Sequence, residues 1–257
     1  MTKKIFVIDI GNSTISIGIF ENKSLYQSMR FATNKDFLST EYQLMIQASF
    51  KQKKIMENDF EGAILSSTVP SLISTFTQVV ENIFNFKPLI VGPGIKTGLK
   101  IKYDNPKEIG PDRILHAVAG LDVFSAPLII VDLGTGLVFD IINNKGEYAG
   151  GAIAPGLSVA ANALFDRGSM LNTIQIEKPE NVIGTNTQAA LRSGIYYGYL
   201  ELIKGLVAIM KKELEEDVKV IGTGGDINIF IDDQIIFDHV DIDLNLKGLA
   251  LLYFMNK

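Results

Sequence analysis

Short apolar runs in this chain end repeatedly in glycine-containing turns. In "KIFVIDIGNSTISIGIF", residues 4 to 20, two apolar runs meet at Gly11-Asn12. That dipeptide suits a tight turn, since glycine tolerates positive φ and asparagine bonds its own backbone, so two strands are predicted here. Thr40 to Gln43 resembles a helix start with a hydroxyl cap and Gln three residues on. "GAILSSTVP" reads as a short buried strand ending at Pro70, after which Leu72, Phe76, Val79 and Ile83 recur at spacings of four, three and four. This spacing predicts an amphipathic helix packed on a sheet. "KPLIVGPG" is a further strand with a breaker behind it, and Pro111 opens a helix over "IGPDRILHAVAGLDVF".

The second half repeats the grammar. A strand from Leu128 to Val131 runs through a glycine turn into a strand from Leu137 to Ile142, followed by "GGAIAPG" and a helix from about Ser158. A long helix is predicted from Thr187 to roughly Leu214, with Leu191, Ile195, Leu202, Leu206 and Ile209 on its buried side. Then come the strand "VKVIG", the loop "TGGD" and a closing helix at "LKGLALLYFM". Mixed strands and helices with a hairpin at the start of each half predict an α/β protein of two related lobes, residues 1–120 and 121–257.

Composition narrows the function classes. The chain is 47% hydrophobic with 23 glycines and 8 prolines, enough apolar surface for a core and too much for disorder. A formal charge of −5 argues against a nucleic-acid binder, which needs a concentrated basic surface. The basic run Lys51, Lys53 and Lys54 reads as a solvated helix end. The absence of cysteine excludes disulfides, thiolate metal sites and cysteine nucleophiles. "MTKKIFVIDI" resembles a signal peptide, but Asp9 cuts its apolar run short, and Asp122, Asp132 and Asp140 break the longest apolar stretch. A soluble cytoplasmic protein with no membrane partner is the expectation.

Candidate chemistry lies in the turns. Asp9-Ile-Gly-Asn and Asp132-Leu-Gly-Thr each follow an apolar strand. Backbone amides in a glycine-rich turn form an anion-binding concavity, and a carboxylate beside it calls for cations between carboxylate and phosphate. Two such turns facing one another would grip a nucleotide triphosphate; two ordinary hairpins are the alternative. Thr223-Gly-Gly, directly after a strand, fits an adenosine contact or a plain helix entry. Asp112 and Arg113 put a carboxylate and a guanidinium at a helix start, as a base and an anion holder or as a dipole-serving aspartate and a surface cation.

The order D-x-G-N, D-x-G-T, T-G-G is similar to the actin-like ATPase and sugar kinase superfamily. Within it, "VGPGIKTGLKIKYDNPKEIGPDRI", "GGAIAPG" and "IGTNTQAALRSGIYYGY" resemble type III pantothenate kinase, from residue 5 to the final helix. The resemblance implies two RNase H-like lobes around an interlobe nucleotide cleft, and ATP-dependent phosphorylation of pantothenate to 4'-phosphopantothenate, the first step of coenzyme A biosynthesis. It implies Asp112 as base for the pantothenate hydroxyl. It places ATP phosphates among Asp9, Ile10, Gly11, Asn12, Ser13, Thr14, Ile15 and Ser16, with Thr135 also on ATP. Asp9 would position Mg²⁺, directly or through water, and Asp132 a monovalent cation, K⁺ or NH₄⁺. Tyr103, Gly110, Pro111, Asp112, Arg113 and Thr187 would contact pantothenate at a homodimer interface, Thr187 also being placed to cap its helix.

Two departures from the family pattern stand out. "DLGTGLVFD" keeps Asp132, Thr135 and Asp140 but has Leu137 and Val138 where the pattern has hydroxyls, and "LFDRGSMLNT" lacks the usual Lys-Leu-Pro ending. They keep open a catalytically weakened regulatory homologue, and another small-molecule kinase of the same fold. His116, four residues after Asp112, is expected to pack or meet solvent, and His239 to lie at the surface.

Overall fold

The computed structural model of the chain describes residues 3–167, 174–231 and 237–257. In chain order the strands and helices are β1 Lys4–Ile10, β2 Thr14–Glu21, β3 Ser24–Ala32, α1 Ser39–Lys53, β4 Phe60–Ser67, α2 Ser71–Phe84, β5 Leu89–Ile90, β6 Lys100–Ile101 and α3 Pro111–Val123. They continue as β7 Leu128–Leu133, β8 Gly136–Ile142, β9 Glu147–Pro155, α4 Leu157–Arg167, α5 Thr187–Leu214, β10 Lys219–Thr223, β11 His239–Val240 and α6 Leu244–Asn256. Two compact units form, and the division is not one cut: Met1–Gly98, Lys107–Ala119 and Leu244–Lys257 make the first, Leu99–Pro106 and Gly120–Asp243 the second.

In the first unit the sheet order is β3-β2-β1-β4-β5, with β1 antiparallel to β2 and parallel to β4. Alternation along β1 sends Phe6, Ile8 and Ile10 into a core with Tyr42, Ile46 and Phe50 of α1 and Phe76, Val79 and Ile83 of α2. Ile5 and Val7 point the other way, to Leu115 and Val118 of α3 and Leu246, Leu249 and Leu252 of α6. Burial on both faces explains why β1 reads as an almost unbroken apolar run. Asp9 continues the second face, and this is what makes it available to a site.

The second unit repeats the plan. Its sheet runs β11-β10-β7-β8-β9-β6, so β9-β8-β7-β10-β11 reproduces the order third, second, first, fourth, fifth. Ile129, Val131 and Leu133 of β7 meet Tyr196, Leu200, Ile203 and Val207 of α5. The expected buried side of α5 is corrected in part: Ile195 and Leu206 pack against this core, but Leu202 is 36% and Ile209 62% exposed, and the buried stripe is the one led by Tyr196. α5 is apolar on more than one face, and the stripe holding the large tyrosine has the most surface to bury.

Two further local expectations are corrected. No hydroxyl caps α1; the Glu41 carboxylate accepts the Leu38 N–H at 2.6 Å instead. β3 was not predicted, because "SLYQSMRFA" buries only Met29 and lacks a clean period of two. Among the described residues no helix is long and apolar enough to cross a membrane.

Candidate active site

In the first unit the turn after β1 closes with the Gly11 N–H donating to Thr14 O at 2.9 Å. Asn12, Ser13 and Thr14 are exposed, Gly11 and Ser16 half-buried, and Ile10 and Ile15 fully buried. Of the run assigned to ATP, the two isoleucines therefore reach a ligand only through their backbone. The end of β3 braces the turn: Thr33 donates from Oγ1 to Gly11 O at 2.7 Å and from its N–H to Ser13 O at 3.0 Å. Asp9, 9% exposed, accepts a hydrogen bond at Oδ2 from Asn245 Nδ2 at 2.9 Å. Neither Thr33 nor Asn245 carried a sequence signal, since each depends on a strand or helix end arriving from elsewhere in the chain.

Gly110 to Arg113 also belong to the first unit. A Cβ on Gly110 would stand 2.4 Å from Asp112 Oδ1, so the carboxylate folds back over Gly110 and would have to shift if that residue carried a side chain. Asp112 and Pro111 are half-buried at the start of α3, and Arg113 is only 7% exposed, which excludes a surface cation. His116 is 2% exposed within the same helix, a packing position; its Nδ1 has no hydrogen-bond partner.

In the second unit the corresponding turn after β7 closes with Gly134 N–H to Gly136 O at 2.9 Å. Gly156 N–H donates to Thr135 O at 3.0 Å, and a Cβ on Gly156 would meet Gly134 O at 2.1 Å and Thr135 O at 2.5 Å. The glycine of "APG" is thus part of the turn, a role its own local sequence does not announce. Thr135 is exposed and Asp132 half-buried. Asp132 Oδ1 lies 2.4 Å from where a Cβ on Gly224 would stand, and Gly224 has φ +99°. The "TGGD" loop folds onto the same turn, with Asp226 N–H donating to Leu133 O at 3.0 Å and Ser158 Oγ to Asp226 Oδ2 at 2.6 Å.

The two replaced hydroxyls have different fates. Leu137 is fully buried in the core with Phe139 and Tyr196. Val138 pairs directly with Asp132 across β7 and β8. Asp140 is buried and accepts from Tyr148 Oη at 2.7 Å, which makes it part of the interior.

Tyr103 also lies in the second unit, half-buried, with ring carbons 3.5 and 3.6 Å from a Cβ position on Gly150 and its centroid 6.1 Å from that of Tyr148. It follows β6, which pairs with β9 at Lys100–Glu147 and Ile101–Tyr148. Lys100 and then Asn143, hydrogen-bonded to Glu147, hold that carboxyl down at about 2. Thr187 is exposed at the first position of α5, but the cap is Asn186, whose side chain accepts from Ala189 N–H at 2.9 Å. The capping role expected of Thr187 is thereby corrected: asparagine one residue earlier has the extended backbone a cap needs. His239 is half-buried, edge-on to Phe124 at 6.1 Å, and is not a free surface residue. Of "LFDRGSMLNT", the part from 168 to 173 lies outside the described residues.

The model of the family described as type III pantothenate kinase matches residues 5–209. Among solved structures, one from Campylobacter jejuni, assigned to the Baf family of transcriptional activators, is similar at 20% identity with a TM-score of 0.60, covering 98% of each chain. The Acidaminococcus fermentans (R)-2-hydroxyglutaryl-CoA dehydratase component A is similar at 13% identity and TM-score 0.56, over 98% of this chain and 97% of that one. The activator of 2-hydroxyisocaproyl-CoA dehydratase from Clostridium difficile, with bound ADPNP, gives 13% and 0.51, over 97% and 93%. At these identities the structural likenesses establish the two-lobed α/β fold alone.

Proposed function

We infer the chemistry of this site from one premise: the chain belongs to the type III pantothenate kinase family, the enzymes that phosphorylate pantothenate for coenzyme A biosynthesis. ATP is the phosphoryl donor in this reading. The turns after β1 and β7 contact its phosphates, with the exposed Asn12, Ser13 and Thr14 in the first unit and Thr135 in the second. The "TGGD" loop, bonded to the β7 turn, contacts the adenosine.

Asp112 is the base that takes the proton of the pantothenate primary hydroxyl as its oxygen attacks the γ-phosphorus and the bond from that phosphorus to the β–γ bridging oxygen breaks, releasing ADP. Its carboxylate is half-buried and folded against Gly110. Arg113 holds an anionic group, the pantothenate carboxylate or the charge developing on the transferred phosphoryl group. Tyr103 and Thr187 add contacts to pantothenate, Tyr103 presenting a ring over a glycine backbone and Thr187 an exposed hydroxyl.

The residues present fit the cations the reaction needs. Asp9 accepts from the Asn245 amide at Oδ2 and pairs with Ser66 of β4, two residues with buried oxygens without hydrogen-bond partners, Asn245 Oδ1 and Ser66 Oγ, and a carboxylate so placed suits Mg²⁺, which is commonly held by one or two carboxylates and substrate phosphates. Asp132, pressed against the Gly224 backbone where no side chain fits, offers carboxylate and carbonyl oxygens suited to K⁺ or NH₄⁺. When bound, these cations neutralise charge on the phosphates.

A homodimer is part of the proposal. Gly194, Gly198 and Gly205 are exposed on α5 with nothing within 4 Å of an added Cβ, and the exposed Leu202 and Ile209 continue the same side. A helix face of glycines and aliphatic residues lets a second copy approach closely.

The observation that carries the reading is the repeated carboxylate-and-glycine turn, once in each unit, together with an Asp112 folded over Gly110 in the first. The test is pantothenate-dependent ADP release by purified protein with ATP, Mg²⁺ and K⁺. Release is expected, with a large drop when Na⁺ replaces K⁺; folded protein without release above background would overturn it.

A further inference from the structure

We propose that Asn245 is a positioning residue for Asp9, fixing the rotation of its carboxylate toward the Mg²⁺ on the ATP phosphates, with Ser66 closing the same buried seat. This rests on the reading of Asp9 given above. Asn245 lies beyond residues 5–209, so the family match does not assign it.

The arrangement follows from the fold of the first unit. Ile5, Val7 and Asp9 share the face of β1 that α6 covers with Leu246, Leu249 and Leu252. α6 packs closely on α3 as well: a Cβ on Gly248 would stand 2.4 Å from Leu115 O. These contacts set the first turn of α6 so that Asn245 Nδ2 meets Asp9 Oδ2 at 2.9 Å, across 236 residues of sequence. On the other side, β4 pairs Ser66 with Asp9, and Ser66 is completely buried.

Asparagine has a specific advantage at this position. Its amide N–H donates to the carboxylate and adds no charge, whereas an aspartate would repel Asp9 and a leucine would leave Oδ2 without this donor. The amide's other end, Oδ1, is buried without a hydrogen-bond partner, as is Ser66 Oγ. A buried oxygen left this way costs free energy that is recovered when a donor arrives. Beside a carboxylate, such oxygens can accept from water on a hydrated cation and orient it, in the way residues behind metal ligands do.

The test measures Mg²⁺-dependent ADP binding by calorimetry on the full chain, with pantothenate binding and thermal unfolding as parallel readouts. Asn245→Leu, which keeps the branching of the side chain but has no donor, should weaken the Mg²⁺-dependent component by about tenfold or more while pantothenate binding is retained. Asp9→Asn should weaken the same component, and the double variant should lose little beyond Asp9→Asn alone, because the two residues act as one unit. If Asn245→Leu keeps wild-type Mg²⁺ dependence, or only lowers the unfolding temperature, while Asp9→Asn loses it, the positioning role is overturned and the reading of Asp9 stands. If Asp9→Asn also keeps the dependence, the reading of Asp9 fails and takes the inference with it. Should Asn245→Leu not fold, the Asn245 side-chain amide resonance is followed by NMR in the wild-type protein. A shift on adding Mg²⁺ and ADP supports the role, and an unmoved resonance overturns it.

Discussion

Val138 stands directly across the β7–β8 ladder from Asp132, while its neighbour Leu137 points into the core. Of the two hydroxyls replaced in this turn, only one at 138 would share a face with the carboxylate. Val138→Thr, a change of nearly constant volume, should lower the ATP KM or raise turnover by about three- to tenfold, the worth of one hydrogen bond. Leu137→Thr should instead destabilise the fold by about 3 kcal/mol, from lost packing and a buried hydroxyl. Steady-state kinetics and thermal unfolding of the two variants distinguish these outcomes.

Gly156 has no room for a side chain, because a Cβ would meet Gly134 O and Thr135 O. Gly156→Ala should distort the β7 turn, cost about 3 kcal/mol of stability and weaken ATP binding together. Gly92→Ala, where nothing lies within 4 Å of the added carbon, is the control and should change stability and ATP binding little. Equal losses in both would show that glycine flexibility, and not the close approach, is what matters.

Asp112→Asn keeps the shape of the side chain folded over Gly110 and removes the base. Turnover should fall by about 10²- to 10⁴-fold with pantothenate binding and unfolding temperature near wild type. A variant with unchanged turnover would move the base elsewhere.

Glu147, held at about 2 by Lys100 and Asn143 against an ordinary value of 4.5, sets a pH dependence. Because its folded value lies below the unfolded one, its contribution to stability is complete above 4.5 and lost as pH falls through about 2. Wild-type protein should therefore exceed Glu147→Gln in denaturant midpoint at neutral pH, and the gap should close as the solution is acidified below 4.5. Urea titrations across that range measure it, and a gap independent of pH would assign the effect to packing.

The glycine face of α5 gives a prediction on assembly. Gly198→Arg points a long cation into space that is open in the single chain. Sedimentation should show loss of the dimer with an intact fold, and pantothenate phosphorylation should fall with it.

What the sequence made legible was whatever is local. The hairpin at Gly11-Asn12, the spacing Leu72, Phe76, Val79, Ile83 and the start of α3 at Pro111 are written in neighbouring residues and appear in the fold. The face of α5 was legible only in part, at Ile195 and Leu206, because two apolar stripes compete and only the partner surface chooses between them. β3, half exposed along its length, carried too weak a period to read. In the site, the carboxylates and glycines could be named from their turns, whereas Thr33, Gly156 and Asn245 act through bonds that close over long stretches of chain.

α6 bears on how the protein is made. The first unit needs Leu246, Leu249 and Leu252 against Ile5 and Val7, yet the whole second unit is synthesised between them. On the ribosome β1 therefore waits with one apolar face only partly covered, by Leu115 and Val118 of α3, until α6 has emerged, and the second unit, continuous from Gly120 to Asp243 apart from a short strand-bearing segment, can fold before the first is finished. The lobe translated first is the lobe completed last, and its exposed strand face is where a nascent chain of this kind would call on a chaperone.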